Sequence, residues 1–303
     1  MDTFNFMADD DGQRIDVWLA KHMEDHSRSH IQKLIQTGQV MVNGIIVKSN
    51  YKVRKGDNIN ISVPEAQILN VEPENIEIDI LYEDDDIIVV NKPKNMVVHP
   101  AAGNFSGTLV NALLSHCKDS LSDINGIIRP GIVHRIDKDT TGVLVVAKNN
   151  RAHEVLSQKL KNHDIVRVYE AIADGVIKED EATIDAPIGR HPTDRKKMAV
   201  NVKNSREATT HFKVLERFPK HTYIECRLET GRTHQIRVHM AYIGHPLLGD
   251  KVYGKKKQPF DLEGQVLHAK VLGFEHPISG KYMEFTAELP EYFKDILRDF
   301  RGR

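Results

Sequence analysis

One aspartate, Asp137, lies in the stretch of this chain whose residue types are best suited to chemistry. The stretch reads Arg129-Pro-Gly-Ile-Val-His-Arg-Ile-Asp-Lys-Asp-Thr-Thr-Gly-Val-Leu-Val-Val-Ala-Lys148. The run from Val143 to Ala147 is short, apolar and rich in β-branched residues, which predicts a buried strand. Asp137 therefore lies in a loop held against a rigid strand, and such loops often carry catalytic groups.

The same stretch resembles the signature of the RluA/RluD-type pseudouridine synthases. That signature reads His-Arg-Leu-Asp, two variable residues, two Thr or Ser residues and Gly, and here Ile136 replaces the Leu. The resemblance implies that Asp137 is the catalytic aspartate of an enzyme that isomerises uridine in RNA without a cofactor. A lone aspartate in a loop is more often a helix cap or a turn residue, but the many matched positions favour catalysis.

A second motif of the same family is resembled by Val166-Arg-Val-Tyr-Glu-Ala171, where Arg167 replaces the usual Lys and keeps its charge. The resemblance places the active-site tyrosine of the family at Tyr169. A phenol ring can stack on uracil, which is worth roughly 1–3 kcal/mol per base, and its hydroxyl group can take part in proton transfer.

The third motif, Leu228-Glu-Thr-Gly-Arg-Thr-His-Gln-Ile-Arg-Val-His239, agrees with the family pattern throughout. The resemblance implies that Arg232 pairs with the catalytic aspartate, from the junction between a strand and a helix that Thr233 would cap. A guanidinium group orients a carboxylate and keeps it ionised where water is scarce. Further residues expected to contact the flipped nucleotide or a nearby phosphate are His134, Arg135 and Ile236, the last as an apolar wall.

Residues 13–63 are predicted to form a separate small unit. Helical spacing starts at Ile15 and returns in a second helix that Ser27 would cap, and Asn43-Gly44 predicts a hairpin turn. The order of these short motifs resembles the S4-like RNA-binding domain. The resemblance implies phosphate contacts from the second helix and its approach, by Arg14, Arg28, His30 and Lys33.

Residues 64–77 contain two prolines and several acidic residues, and we interpret them as a linker to a catalytic domain over residues 78–303. In that domain, strand patterns alternate irregularly with helices predicted over 107–117 and 151–162. We therefore expect an α+β fold with a mixed or largely antiparallel sheet, like the pseudouridine synthase catalytic domain, rather than a regular β-α-β winding.

The formal net charge of −1 means that any RNA binding must come from local basic patches. One such patch lies between Arg190 and Arg206 and contains Arg195, Lys196 and Lys197. We expect it to line a groove for RNA. The N-terminal unit favours large-subunit ribosomal RNA over transfer RNA as the substrate, because members of the wider family without that unit exist.

The 303 residues are 40% hydrophobic and 28% charged, which is typical of a globular protein with two domains. Two distant cysteines provide no disulfide framework, and the five-residue step from His234 to His239 is unsuitable for a metal site on one helix face. The sequence contains no long apolar run and no secretion signal. We therefore expect a cytoplasmic monomer without a metal and without membrane contact.

Two other functions are compatible with parts of the sequence. Asp137-Lys-Asp139-Thr-Thr141 satisfies the Asp-x-Asp-x-Thr pattern of aspartyl phosphatases, although in that class an apolar strand precedes the first aspartate. The alternative is a non-catalytic RNA-binding or ribosome assembly factor, which would bind RNA without converting any base.

Overall fold

The structure, a computed structural model, describes residues 2–23, 28–63, 71–100, 103–117, 120–122, 124, 130–194, 196–255 and 260–302. The chain divides into two units, Met1–Leu69 and Asn70–Arg303. The proposed cap Ser27, the basic residue Arg195 and the side chain of His30 lie outside what the structure describes. Within the described ranges, no helix combines the length and the apolar character needed to cross a membrane.

The first unit packs helices against a small antiparallel sheet with the strand order β1-β4-β2-β3. Its elements are β1 (Asp2–Met7), α1 (Ile15–His22), α2 (Arg28–Gln36), β2 (Val40–Val42), β3 (Ile45–Ile46) and β4 (Asn58–Val63). Trp18 of α1 and Ile31 of α2 are buried in its core together with Ile61 of β4. The predicted turn is present, with left-handed φ values of 51° at Asn43 and 80° at Gly44.

The second unit is built around a mixed nine-stranded sheet. The strands of this unit, two of which lie outside that sheet, are β5 (Asp79–Glu83), β6 (Ile87–Lys92), β7 (Thr141–Ala147), β8 (Val166–Asp174), β9 (Glu181–Asp185), β10 (Ile188–Arg190), β11 (Met198–Val200), β12 (Thr209–Arg217), β13 (His221–Leu228), β14 (Leu267–Glu275) and β15 (Tyr282–Thr286). Its helices are α3 (Leu109–Cys117), α4 (Asn150–Asn162), α5 (Gln235–Tyr242) and α6 (Glu291–Arg301).

The sheet runs in the order β5-β6-β7-β14-β8-β13-β12-β9, with β15 beside β14, while β10 and β11 form a separate hairpin. Only the β7–β14 pair of this sheet is parallel among the described pairs. The predicted α+β class with a mixed, largely antiparallel sheet is therefore confirmed.

Strand β7 is buried on both faces, as its continuous apolar sequence predicts. Leu144 and Val146 pack with Leu109 of α3, whereas Val143 and Val145 pack on the opposite face with Leu156 of α4. The chain before α4 is fixed by its cap, because the Asn149 side chain accepts a hydrogen bond from the Ala152 N–H at 2.9 Å. This rigid strand supports the loop that precedes it.

The other half of the sheet carries α5 on one face and α6 on the opposite face. Ile236 of α5 packs with Ile224 and Cys226 of β13, while Phe293 of α6 packs with Ile172 of β8. Helix α5 is thereby fixed beside β8 and β13. The segment interpreted as a linker differs in part, because its described residues, from Val71 onward, lie in the second unit and Val71 is buried there.

Candidate active site

The loop that carries Asp137 is fixed at the point where it enters β7. Thr141 and Gly142 pair in parallel with His268 and Ala269 of β14. A β-carbon on Gly142 would lie 2.1 Å from the carbonyl oxygen of Ala269, and its φ of 110° is one that other residues rarely adopt. Glycine is therefore required for β7 and β14 to approach each other directly beneath the loop.

Replacing Gly142 by Ala should lower the free energy of unfolding by at least about 3 kcal/mol, because strain in φ adds to a backbone clash. The matched control is Gly280→Ala, since Gly280 also has a positive φ (69°) but no atom within 4 Å of an added β-carbon. The control should cost only about 1–2 kcal/mol. Urea unfolding measures both variants, and equal losses would show that the approach of the two strands is not limiting.

A buried lysine anchors the other side of the loop. Lys92 at the end of β6 is inaccessible to solvent, and its ammonium group donates to the carbonyl oxygens of Pro93 (2.7 Å), Met96 (2.8 Å) and Lys138 (3.0 Å). Burial lowers the pKa of Lys92 to about 7, whereas the carboxylates of Asp139 and Asp137 act in the opposite direction. Only the protonated form has a donor for each carbonyl, so this anchor is complete when the lysine is charged.

The side chain of Asp137 forms a salt bridge with Arg237, in the first turn of α5. Arg237 Nη1 donates to Asp137 Oδ2 at 2.8 Å, while its Nε and Nη2 donate to the two oxygens of Asp250 at 2.7 and 2.9 Å. Burial opposes the charge on Arg237, but the carboxylates of Asp250 and Asp137 outweigh it and raise the pKa of this group. Asp250 is fully buried, so it holds the guanidinium group while Arg237 orients Asp137.

The prediction that Arg232 pairs with Asp137 is therefore wrong. Arg232 lines the same pocket, but its Nε donates to the carbonyl oxygen of Glu207 at 2.8 Å. The chain between the two arginines turns at His234, which has a left-handed φ of 58° and is the residue before α5. This turn directs Arg237, three residues after His234, toward the aspartate.

The turn is also closed differently from the prediction that Thr233 caps α5. The side chain of Gln235 accepts hydrogen bonds from the Thr230 hydroxyl (2.8 Å) and from the Arg232 N–H (2.9 Å). His234 occupies the cap position and makes no side-chain cap hydrogen bond. Gln235, the first residue of α5, thus accepts the backbone hydrogen bond at this turn, where the sequence predicted a cap by Thr233.

His234 lies near the carboxylate oxygen of Asp137 that Arg237 does not contact. From the sequence, this histidine was considered only as a possible metal ligand. Its Nε2 lies 3.7 Å from Asp137 Oδ1, and its Nδ1 lies 2.9 Å from the Tyr253 hydroxyl group, which accepts from the Met198 N–H. We assign the Tyr253 hydrogen to Nδ1, which leaves the proton on Nε2. Burial lowers the pKa of His234, aided by the charges of Arg237 and Arg135 and opposed by that of Asp137.

Tyr169 of β8 completes the pocket. Burial raises the pKa of Tyr169, as does the charge of Asp137, whereas Arg167 lowers it, so the phenol is protonated at neutral pH. The pocket thus offers an aromatic ring, apolar walls and one carboxylate, which suits a planar uracil base and its ribose. Its lining residues are Arg135, Ile136, Asp137, Thr140, Tyr169, Leu228, Arg232, His234, Gln235, Ile236, Arg237 and Leu267.

The structure brings Arg135 and Ile236 to this pocket but turns His134 away from it. The His134 ring accepts a hydrogen bond at Nε2 from the Val145 N–H of β7, at 3.1 Å. Burial, together with the charge of Arg167, lowers the pKa of His134 to about 3, so the ring is neutral. His134 therefore supports the strand, and Arg135 is the member of this pair that is available to a ligand.

The predicted basic residues lie at two places. Lys196 and Lys197 follow β10 and precede β11, and this hairpin is tied to the pocket because Met198 donates to Tyr253. In the first unit, Arg14 and Arg28 both donate to the fully buried carboxylate of Asp16, at 3.0 Å for their closest contacts. Lys33, on the same helix as Arg28, is exposed.

Comparison with known proteins gives a consistent result for both units. Residues 86–242 match the model of the RNA pseudouridylate synthase family, and residues 13–59 match that of the S4 domain. An uncharacterized RNA pseudouridine synthase of Bacillus subtilis (strain 168), YlyB, is 55% identical over 289 residues, which are 95% of this chain and 94% of that one. Ribosomal large subunit pseudouridine synthase D of Zymomonas mobilis is 47% identical, over 92% of this chain and 91% of that one.

The fold of this chain is also similar to that of a solved protein. The solved structure of human RNA Pseudouridylate Synthase Domain Containing 1 superposes with a TM-score of 0.59 at 24% identity, over 76% of this chain and 97% of that one. A mixed sheet that presents a carboxylate in a pocket lined by Tyr169 and Ile236, together with an S4 domain, defines an enzyme that modifies RNA. The chain belongs to the RNA pseudouridylate synthase family, whose members isomerise uridine to pseudouridine.

Proposed function

We propose that this enzyme converts uridines of large-subunit ribosomal RNA, as a cytoplasmic monomer. The proposal is supported by the similarity to synthases named for the ribosomal large subunit, which extends over most of both chains and includes the S4 domain. The observation that carries the chemistry is the contact between Asp137 and Arg237 in a pocket that also contains Tyr169.

The reaction breaks the bond between N1 of uracil and C1′ of ribose and forms a bond between C5 and C1′. The C5 proton is lost and N1 gains a proton, so atoms and electrons balance without an oxidant or a reductant. Asp137 serves this reaction either by attacking the sugar or base or by removing a proton from the sugar. In both routes Arg237 holds one carboxylate oxygen, which leaves the other, Oδ1, directed toward the substrate and His234.

Uracil has to remain in the pocket after the glycosidic bond breaks, while it turns to present C5. The ring of Tyr169 and the apolar side chains of Ile236 and Leu228 hold a detached base by stacking and contact, without fixing one rotational position. A base within a stem cannot reach this pocket. The substrate uridine must therefore be flipped out of a helix or lie in a loop. Arg135, which lines the pocket, then contacts the flipped nucleotide or a nearby phosphate.

The basic residues of the S4 domain bind RNA backbone in this proposal, and Asp16 organises them. One buried carboxylate accepts from Arg14, from Arg28 and from Gln32, so two half-exposed guanidinium groups are held side by side with a net positive charge. Without the carboxylate, these two cations would repel each other and lose their common orientation.

The variant Asp16→Asn should therefore bind RNA about 5–10-fold more weakly, although it removes a negative charge. The matched control Asp9→Asn removes an exposed negative charge of the same unit and should bind RNA as well as the wild type or slightly better. Filter binding at fixed salt, with circular dichroism to confirm folding, compares the two. Binding by the Asp16 variant as tight as that of the control would show that Asp16 does not organise the arginines.

The assignment of the substrate is tested with unmodified transcripts. Large-subunit ribosomal RNA, small-subunit ribosomal RNA and a transfer RNA pool are each incubated with the purified full-length chain, and pseudouridine is mapped at single-nucleotide resolution. We expect conversion at defined positions of the large-subunit RNA. Conversion confined to transfer RNA or to the small-subunit RNA would contradict the proposed substrate while leaving the family activity intact.

The phosphatase alternative is not favoured by the position of Asp137. The supporting strand β7 begins four residues after this aspartate, whereas an aspartyl phosphatase needs the strand before it. Because the chain belongs to the RNA pseudouridylate synthase family, the match to the Asp-x-Asp-x-Thr pattern does not indicate phosphatase activity.

A further inference from the structure

Two arginines beside the catalytic pocket have no carboxylate partner among the residues that the structure describes. Arg167 lies on β8, two residues before Tyr169, and Arg232 lies in the turn after β13 and lines the pocket. Arg167 Nη2 donates to the carbonyl oxygen of Glu229 at 2.8 Å, and Arg232 Nε donates to that of Glu207 at 2.8 Å. Over the parts of the chain that the structure describes, neither guanidinium group lies within ion-pair distance of an acidic side chain.

The absence of a counter-charge is unusual for Arg167, which is only 7% exposed. Its Nε is buried and has no hydrogen-bond partner among the described residues. Buried charges are normally paired, and a buried donor without a partner carries its own desolvation cost. Burial lowers the pKa of Arg167, as does the neighbouring charge of Arg232, whereas Tyr169 acts in the opposite direction. A feature that costs stability in the free protein points to a function in the complex.

Gly231 brings the two groups together. A β-carbon on this residue would lie 2.4 Å from Arg167 Nη1, so the guanidinium group packs against the backbone immediately before Arg232. The two backbone carbonyl contacts then fix both groups, and Arg232 is itself part of the pocket lining. A rigid pair of guanidinium groups without a carboxylate is suited to bind a phosphate group, which offers oxygen acceptors and a negative charge.

We propose that Arg167 and Arg232 form a subsite for a backbone phosphate next to the uridine that is converted. Arg232 contacts the phosphate oxygens, and Arg167 adds positive charge from behind it. The inference rests on the proposed function insofar as the ligand is RNA. A phosphodiester is the anion expected here, because the adjoining pocket holds the nucleoside to which that phosphate is attached. This role replaces the pairing with Asp137 that the sequence suggested for Arg232.

The test measures RNA affinity as a function of salt in the full-length chain, with Asp137→Asn as background so that no product forms. The probe is a stem-loop transcript containing a uridine that the wild-type chain converts, taken from whichever RNA class is modified. This test can therefore be carried out even if the substrate is not large-subunit ribosomal RNA. Arg232→Gln should weaken binding about 10-fold and reduce the slope of log Kd against log salt by about 0.7–0.9. Arg232→Lys should restore most of that slope.

The matched control is Lys281→Gln, an exposed charge in the turn between β14 and β15, about 26 Å along β14 from the pocket residue Leu267, which should change neither quantity. Arg167→Met is a second test. Removing a buried charge that contacts no carboxylate among the described residues should leave the urea midpoint unchanged or higher while RNA binding weakens. An unchanged salt slope in Arg232→Gln would overturn the proposal. Loss of stability with unchanged RNA affinity in Arg167→Met would overturn it as well.

Discussion

Replacement of Arg237 by Met should abolish pseudouridine formation and lower the free energy of unfolding by about 3–5 kcal/mol. The loss of stability follows because Asp250 is fully buried and would lose the guanidinium group that neutralises its charge. The loss of activity follows because Asp137 would lose the donor that orients it. Urea unfolding and single-turnover conversion of an RNA substrate measure the two effects on the same preparation.

The double variant Arg237→Met, Asp250→Leu separates these effects. Removing both buried charges should restore most of the stability, because an ion pair and well-packed apolar side chains are often equivalent in a core, but it should not restore activity. Arg232→Gln is the matched arginine control and should change the free energy of unfolding by less than about 1 kcal/mol, since its guanidinium group contacts no carboxylate in the described parts of the chain. A larger loss of stability in Arg232→Gln than in Arg237→Met would contradict the assignment of the salt bridge.

Asp137→Asn should reduce the rate of conversion by about 10⁴-fold or more, with folding and RNA affinity retained. An amide has nearly the same shape and still accepts a hydrogen bond from Arg237, but it is neither a nucleophile nor a base. The rate is measured under single-turnover conditions, with RNA affinity determined separately by filter binding.

The matched control for this variant is Asp139→Asn, two residues later in the same loop and outside the pocket lining. Its activity should remain within about 10-fold of the wild type, whereas a phosphatase of the Asp-x-Asp-x-Thr type would need both carboxylates. Conversion by Asp137→Asn at a rate near that of the wild type would remove this aspartate from the mechanism.

The position of Asp137 and its supporting strand could be predicted because the signals are local. The apolar run of β7 and the turn before it lie within about ten residues of sequence, and Gly142 marks the point of closest approach. Tyr169 could be placed on a strand for the same reason, since alternation is visible in the sequence around it. The S4 domain could likewise be predicted from its helical spacing and its Asn-Gly turn.

The partner of Asp137 could not be predicted from local signals. Arg237 is 100 residues away in sequence, and which of the two arginines in the motif faces the aspartate depends on the left-handed turn at His234. Left-handed φ values are uncommon for residues other than glycine, and the residue types around His234 give no signal that predicts one there. The buried position of Asp250, which holds Arg237, is also a property of the assembled fold.

Strand β1 shows a different kind of limit. Its alternating sequence, with Phe4 and Phe6, is a weak strand signal in isolation, and the predicted unit began only at Gln13. In the structure Phe4 pairs with Ile61 of β4, and the strand becomes the edge of the sheet. Pairing with a segment more than fifty residues away stabilises this strand, and such pairing is not evident from six residues alone.

In the proposed reaction, Asp137 drives an exchange of the C5–H bond of uracil for a bond to ribose. Release of tritium from RNA labelled at C5 of uridine measures that exchange directly, because the label enters water only when C5 loses its hydrogen. The wild-type chain should release one tritium for each pseudouridine formed, and Asp137→Asn should release none above background. Tritium release by Asp137→Asn at the wild-type rate would show that this aspartate is not required for the exchange. No release by the wild type on any RNA would show that the chain does not catalyse it.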